Sequence, residues 1–493
     1  MVCARCQGVR GRLGAAVHAK APNRNLDFDS DRRNGFIYVC GIAAVAAMGG
    51  LLFGYDWVVI GGAKPFYEVY FHLHSAHLIG WANSCALLGC LMGALLAGEV
   101  STRLGRKGIL LLSALLFAVT SILTGWAPAF SFFIAWRIAG GIAIGLASNV
   151  SPLYIAEISP ARWRGGLVSL NQLAIVCGIL AAQIVNWLIA DKVPEGAAIL
   201  PQSWNAQFGW RWMFTAVAVP AVLFFLLALF IPESPRWLAG ARRTGEARRV
   251  LARIGGQEYA GRELAAIEAT LRSSARSPAG WKNFAAKDAR RLLWIGMGLA
   301  ALQQWSGINV LFNYAEEVYR GAGFGVSGIL FNIVITGTIN LIFTVVAMTF
   351  VDRLGRRILM LLGCAGVGVC HLGASLAYHA GWRGGSVLAL TLAAIACYAM
   401  TLAPVTWVLI SEIYPNRLRS LGVSAAVAAL WTASFALTYT FPFINHAFTT
   451  AGAFLVYAGV CFAGFVFVFA CVGETRGKTL EEIEGVTRAG AIQ

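Results

Sequence analysis

The stretch GLAALQQWSGINVLFNY, residues 298–314, decides how the chain folds, because it is apolar enough to cross a bilayer and yet carries four side-chain amides. An amide without a partner is costly in hydrocarbon, so such groups face a protein interior or a wet cavity. On one continuous helix, Gln303, Gln304 and Asn309 would share a broad sector. The stretch therefore predicts a membrane helix with a polar face turned toward other helices.

These amides have two interpretations. They can bind a neutral ligand with many hydroxyl groups, since an amide donates and accepts hydrogen bonds at once. They can also merely join helices, as intramembrane Asn and Gln often do. One amide would favour helix joining, but Gln303, Gln304, Asn309 and Asn313, with Ser306 and Gly307 among them, favour a binding site.

The composition is that of a polytopic membrane protein. The 493 residues are 58% hydrophobic and 13% charged, with a net charge of +16, and the mean hydropathy is +0.68. A soluble domain is about a quarter charged. The basic residues lie in short loops between apolar segments, which is typical of cytoplasmic loops and argues against binding to nucleic acid.

No metal or cofactor is expected. Cys3 and Cys6 form a single CxxC without a second pair, which argues against a zinc site. His72, His74 and His77 cluster between two apolar segments, where a solvated loop is favoured over a metal site.

Apolar segments long enough to span a bilayer recur twelve times. We number the expected spans 1 to 12, near 36–62, 78–100, 108–126, 131–155, 166–190, 211–231, 291–318, 328–351, 358–379, 386–411, 420–445 and 452–473. The loops after the even-numbered spans up to span 10 are basic and the opposite loops carry few charges, so both termini are expected to be cytoplasmic.

A long basic segment divides the spans six and six. Within it, Arg242–Leu251 and Glu263–Leu271 are expected to form amphipathic helices at the inner membrane surface. The first residues lack the apolar core of a secretory signal and are expected to form a flexible tail. The expected divisions are a cytoplasmic tail at 1–33, a six-helix half at 34–235, an intracellular helical linker at 236–290, a second half at 291–474 and a tail at 475–493.

The two halves share a repeat. RLGRK at 103–107 returns as RLGRR at 353–357, Glu157 with its following arginines returns as Glu412, and Glu233 is echoed by Glu474. Matching loops on one side of six plus six spans predict two parallel halves, with a substrate held between them near the middle of the bilayer.

The repeated charges are expected at the cytoplasmic ends of the helices. There an ion pair can lock the halves together and release when they tilt apart, although arginines can also merely set topology and bind lipid headgroups. The acids at matched spacing favour a gate. The residues assigned to it are Glu99, Arg103, Glu157, Arg164, Glu233, Asp352, Arg353, Glu412, Arg419 and Glu474.

Two charges lie inside the spans of the first half. Asp56 lies in span 1 and Arg137 early in span 4, and because each is costly alone, pairing is the cheapest solution. Protonation of Asp56 would break the pair, which makes the two residues candidates for proton coupling. The alternative is a permanent structural salt bridge.

Tryptophans in the second half are further candidates for ligand contact. An indole offers a flat face to the C–H surface of a sugar and one N–H to a hydroxyl, although ordinary packing explains most tryptophans. Pro404 frees a backbone carbonyl, so span 10 is expected to be broken beside Trp407. The remaining polar and aromatic candidates within spans are Trp431, Asn171, Gln172 and Asn340.

The chain resembles the sugar porter family of the major facilitator superfamily, from Gly49 to Gly477. The matching motifs, in order, are GGLLFGYD (49–56), RLGRK (103–107), SPLYIAEISPARWRG (151–165), NQLAIVCGIL (171–180), PESPRWL (232–238), QQWSGIN (303–309), DRLGRR (352–357), PVTWVLISEIYPNRLRS (404–420) and ETRGK (474–478).

The resemblance implies the major facilitator fold, an all-α membrane protein of twelve transmembrane helices that works by alternating access. It also implies a monosaccharide held mostly by the second half, with pocket walls at Ile175 and Ile179. The sugar contacts that it implies are Gln172, Gln303, Gln304, Asn309, Asn340, Trp407 and Trp431, with Asn313 standing where many members have tyrosine.

Asp56 matches the proton-coupled members, whereas the human facilitative glucose transporters lack an acid there. Leu430 and Ile179 differ from the glutamines that the bacterial xylose carrier has at these points. The sequence therefore predicts a monomeric proton-coupled symporter of D-glucose or a similar hexose in a cell membrane, and not an enzyme. A passive uniporter is the nearest alternative. A sugar sensor is disfavoured because the segment after Thr475 is short.

Overall fold

The computed structural model describes residues 24–194, 201–276, 284, 287–382, 384–414 and 418–474, with only the backbone at 24–34, 273–276, 287–288 and 351–353. All long regular elements in these ranges are helical. They are α1 (Arg24–Tyr70), α2 (Ala76–Gly125), α3 (Phe130–Ile158), α4 (Arg164–Ile189), a π-helical turn (Asn205–Gly209) leading into α5 (Trp210–Thr215), α6 (Ala218–Ala228), α7 (Pro235–Gly240), α8 (Thr244–Arg276), α9 (Lys287–Trp305), α10 (Ile308–Asn313), α11 (Ala315–Gly321), α12 (Val326–Leu354), α13 (Arg356–His379), α14 (Gly385–Met400), α15 (Leu402–Glu412) and α16 (Arg419–Cys471).

The described helices account for the predicted spans. Nine helical stretches within the described ranges are long and apolar enough to cross a membrane. Two of them, α2 and α16, each hold two spans, because Gly105 and Thr449 interrupt their helical backbone. Span 7, which is broken into shorter helices, is the twelfth span. The all-α architecture of twelve spans is confirmed.

Span 7 is not the single helix that the sequence predicted. Helix α9 ends at Trp305, and α10 begins at Ile308 after Gly307, whose φ of 85° lies in the left-handed region that glycine adopts without strain. The placement of Gln303, Gln304 and Asn309 on one helical face is therefore wrong, since Asn309 belongs to the next helix.

Span 10 is broken as predicted. Thr401, with φ −128° and ψ −82°, separates α14 from α15. Pro404 lies in the first turn of α15 and has no N–H with which to bond the carbonyl of Met400. The hydroxyl of Thr401 donates to the Cys397 carbonyl at 2.5 Å, which satisfies one backbone group at the break.

In its described part up to Arg276, the segment between the halves consists of helices, as predicted. Helix α7 starts behind the cap Ser234, and Gly256, with φ 85°, divides α8 into two helices. Helix α1 already begins at Arg24, inside the predicted tail 1–33. Residues 1–23 and the second predicted tail at 475–493 lie outside the described residues.

The two halves pack closely in the part of the bundle farther from the RLGRK and RLGRR turns. We call the end of the bundle at Gly105 and Gly355 the basic end and the other the opposite end. Gly61 of α1 lies against the carbonyl of Phe312, and Gly80 of α2 lies against that of Tyr439, too close in both cases for a side chain. Small residues let helices approach closely where no aqueous hydrophobic effect drives association.

Candidate functional site

The amides of the quoted stretch form a chain that joins both broken spans. Asn309 Nδ2 donates to Gln304 Oε1 at 2.5 Å, and Gln304 Nε2 donates to Gln303 Oε1 at 3.3 Å. Gln303 Nε2 then donates to the Ala403 carbonyl at 3.3 Å, at the start of α15. The three side chains are buried. The structure thus brings together three of the four amides that the sequence singled out, and bonds them to one another.

Side chains from neighbouring helices hold the break in span 7. The Ser306 carbonyl lies 2.8 Å from His371 Nε2, and because a carbonyl only accepts, that nitrogen carries the proton. Ser306 Oγ donates to the Gln303 carbonyl at 2.8 Å, and Trp305 Nε1 donates to the Ala433 carbonyl at 3.0 Å. His371 was not among the residues predicted from the sequence, although a histidine in the middle of apolar span 9 was a signal.

Residues 53–57 of α1 contact both halves. The rings of Phe53 and Trp431 lie edge to face with centroids 5.8 Å apart, and those of Trp57 and Phe312 are 5.9 Å apart. On the other side, Gly54 packs directly against the backbone carbonyl of Ile175 in α4. A shift of this segment would therefore change its contacts with α4, α10 and α16 together.

The other predicted sugar contacts lie on α4, α12, α15 and α16. Asn340 on α12 and Ile179 on α4 are buried, Gln172 is half-buried, and Trp407 is 38% exposed. Within the described part of the chain, no hydrogen bond links Gln172 or Asn340 to the amide chain. Their role as ligands stays a prediction.

Asp56 and Arg137 form the ion pair that their position predicted. Arg137 Nη1 lies 3.2 and 3.1 Å from the two carboxylate oxygens of Asp56. Both residues are at least 95% buried, and the guanidinium carbon lies 5.4 Å from the centre of the Phe214 ring. The pairing itself is confirmed, whereas its role in coupling is a proposal taken up below.

A small cavity connects this ion pair with span 7. Its lining includes Arg137, Trp57 and Asn83 from the first half and Asn313 from the second. Arg137 Nε and Asn313 Oδ1 are buried and have no hydrogen-bond partner in the described part of the structure. Polar atoms of this kind are normally satisfied by water. The cavity is therefore a suitable place for water between the ion pair and the last amide of the quoted stretch.

At the basic end the sequence repeat is a structural repeat. After Gly105, with φ 80°, the backbone N–H groups of Arg106 and Lys107 donate to the Glu233 carboxylate at 3.0 to 3.2 Å. Burial raises the pKa of Glu233, although these hydrogen bonds and Arg106 oppose the rise. The second half repeats the arrangement with Gly355 (φ 92°), Arg356, Arg357 and Glu474 at 3.0 and 3.1 Å.

The ion pairs seen at the basic end each lie within one half. Arg106 Nε and Nη2 bond the two carboxylate oxygens of Glu157, each at 2.9 Å, and Arg356 lies 3.7 Å from Glu412. The described side chains of the other predicted gate residues also bond within their own half. Arg103 pairs with Glu99 on the surface, Arg164 donates to the carbonyls of Ala156 and Ser159, and Arg419 donates to that of Tyr414. The side chains of Asp352 and Arg353 lie outside the described part.

A charged cluster at the opposite end was missed from the sequence. Lys64 lies on α1, just beyond the predicted end of span 1, and contacts Glu68 of the same helix. Its ammonium also contacts Glu316 and Glu317 of α11, in the other half. The signal available in the sequence was the position of Glu316 and Glu317 near the end of predicted span 7, where a carboxylate needs a partner.

Together these features define a class of protein: a membrane carrier of two six-helix halves, with broken helices and polar groups where the halves meet. The chain belongs to the family described as "Sugar (and other) transporter", which matches residues 42–486. The resemblance inferred from the motifs is confirmed, and the chain is a transporter rather than an enzyme.

Named relatives match nearly the whole chain. It is 35% identical over 488 residues to the D-xylose-proton symporter of Escherichia coli K12, covering 91% of this chain and 96% of that protein. It is 38% identical over 462 residues to a glucose transport protein of Synechocystis, covering 90% and 97%. The inward-open structure of the E. coli xylose transporter XylE matches with a TM-score of 0.79 and 34% identity, covering 91% of this chain and 99% of that one. The major facilitator fold is thereby confirmed.

Proposed function

We propose that this protein is a proton-coupled symporter of a monosaccharide, a hexose resembling D-glucose, in the cell membrane. The observation that carries the proposal is the buried Asp56–Arg137 pair, whose arginine lines the same cavity as Asn313 of the amide-rich stretch. Relatives named as xylose-proton and arabinose-proton symporters support the coupling, and one named as a glucose transport protein supports the choice of sugar.

A proton acts by changing the partner of Arg137. When Asp56 is charged, the pair is satisfied; when it is neutral, Arg137 must find carbonyls or water, and Phe53, Gly54 and Trp57 beside it shift with α1. Because those residues contact both halves, proton binding has a different affinity for each packing of the halves. Such a difference is what coupling requires.

A sugar acts by replacing bonds of the amide chain. Hydroxyl groups can take over the bonds that Gln303, Gln304 and Asn309 now make with one another, without leaving a buried amide unpaired. Trp431 on α16 meets Phe53 edge to face, and an indole face suits the C–H surface of a sugar. Ile179, apolar and buried, favours a hexose of the glucose type over the ligand of a carrier with glutamine there.

The proposal is tested by uptake of radiolabelled D-glucose and D-xylose into liposomes containing the purified protein. We expect an inward proton gradient to drive accumulation of D-glucose above the external concentration, and D-xylose to be taken up less well. Equilibration without accumulation would instead show a passive uniporter, with Asp56–Arg137 as a fixed bridge. Binding without uptake would favour a sugar sensor.

The repeated acids at the basic end give a separate prediction. We propose that this end is cytoplasmic and that Glu157 and Glu412 help to close it, so Glu157→Gln should favour the inward-open state. The pair with Arg106 lies within one half here, and a gate requires that partners are exchanged between the halves when this end closes.

We expect Glu157→Gln to increase labelling of cysteines placed at the inner mouth. Glu246→Gln is the matched control, because it removes a carboxylate from an exposed ion pair in the segment between the halves. If labelling is the same in Glu157→Gln and Glu246→Gln, the repeated acids do not form a gate and only stabilise their own halves.

A further inference from the structure

The cluster around Lys64 is the most concentrated set of buried charges in the described part of the chain. Lys64 Nζ lies 3.0 Å from Glu68, 3.3 Å from Glu316 and 2.6 Å from Glu317. The Lys64 side chain is 3% exposed and that of Glu316 is 5% exposed, while Arg320 contacts Glu316 from the surface at 2.5 Å. One buried ammonium thus pairs with three carboxylates, of which that of Glu316 is the most buried.

The cluster joins the two halves. Lys64 and Glu68 belong to α1 of the first half, and Glu316 and Glu317 belong to α11 of the second. The ion pairs seen at the basic end lie within single halves. The pairs of Lys64 with Glu316 and Glu317 instead join the two halves. They lie at the opposite end, where His77 and Tyr439 also bond across the halves at 2.6 Å.

Separating the halves at this end would cost free energy, because buried ion pairs would be broken. If they parted, Lys64 would lose Glu316 and Glu317 and keep only Glu68, its neighbour on α1. Breaking a buried pair is costly unless water replaces the partner. The cluster therefore stabilises the closed arrangement of this end and makes its opening depend on the entry of water between α1 and α11.

The same contacts place α10 and α11 relative to the amide chain. Helix α11 follows α10 directly through Tyr314, whose hydroxyl donates to the Thr438 carbonyl at 2.6 Å and whose ring centre lies 5.8 Å from Lys64 Nζ. Asn309 and Asn313 are carried by α10. Fixing α11 against α1 consequently fixes the position of these two amides.

We propose that Lys64 is a positioning residue that closes the opposite end of the carrier by binding Glu316 and Glu317, and that thereby fixes the position of α10, which carries Asn309 of the amide chain. The inference rests on the proposed transport function only in assigning this end to the outside. It requires neither proton coupling nor a particular sugar.

The test compares Lys64→Gln, Lys64→Glu and the charge exchange Lys64→Glu with Glu317→Lys. Spin labels at the exposed positions His74 and His446, one in each half at this end, report its opening in purified protein whose native cysteines have been replaced. We expect both single variants to shift the labels to longer distances and to slow uptake at least about tenfold. The charge exchange should restore most of both properties, because the cross-half ion pair is rebuilt.

Lys192→Gln is the matched control, since it removes an exposed lysine from the first half near the same end. If Lys64→Gln fails to fold, Glu317→Gln tests the same bridge at a side chain that is 23% exposed. The proposal is wrong if these variants leave the label distances unchanged, or if the charge exchange is no better than Lys64→Glu alone. The distances are measured without sugar or gradient, so they stay informative even if proton-driven accumulation is not found.

Discussion

Asp56→Asn is expected to abolish accumulation of sugar against a gradient while leaving sugar binding and passive exchange largely intact. The substitution keeps the size and hydrogen-bonding capacity of the side chain and fixes the neutral state that Asp56 has when it is protonated. What it removes is the titration. Without a proton that binds one packing of the halves better than the other, a gradient has no means to drive the cycle.

The measurement is paired uptake and counterflow in liposomes carrying either the wild type or Asp56→Asn, with and without an inward proton gradient. In the variant, the internal sugar concentration should approach the external one, while counterflow continues. Asp191→Asn removes an exposed carboxylate of the same half and serves as the matched control. If the wild type gains nothing from the gradient, or Asp56→Asn still concentrates sugar, the protein is a uniporter with a structural salt bridge.

Gln304→Ala is expected to weaken sugar binding by about 1–3 kcal/mol, or roughly 5- to 150-fold in Kd. Gln304 is the middle member of the amide chain, so its loss removes the acceptor of Asn309 and the donor to Gln303 in one step. Alanine is a strong helix former and Gln304 lies in the last turn of α9, so folding should be preserved.

Sugar binding to Gln304→Ala is best measured by calorimetry on purified protein, with thermal unfolding recorded alongside. The control is Gln183→Ala, which removes another buried amide, located where α4 meets Gly337 of the second half and outside the amide chain. An unchanged Kd together with a lowered Tm in Gln304→Ala would mean that the amides only hold the broken helices together.

The features that the sequence predicted correctly depend on strong, local constraints. A bilayer requires long apolar segments with internally bonded backbones, which is why the spans could be located from hydropathy. Asp56 and Arg137 are each so costly within a span that their pairing followed from their presence alone. Pro404 lacks an N–H wherever it lies, so the break of span 10 was also determined locally.

The features that the sequence did not provide depend on partners distant in the chain. Gly307 permits a left-handed backbone, but whether span 7 uses it depends on His371 and Trp305, whose bonds to other helices stabilise the break. Lys64 could have extended to the membrane surface as lysines near span ends often do; only the tertiary structure places Glu316 and Glu317 against it. The sequence by itself thus determined the spans, the repeat and the charges that had to be paired, because bilayer and backbone chemistry act on each segment alone. The packing of the two halves decided which helices break and which charges join the halves, because those choices depend on contacts between segments hundreds of residues apart.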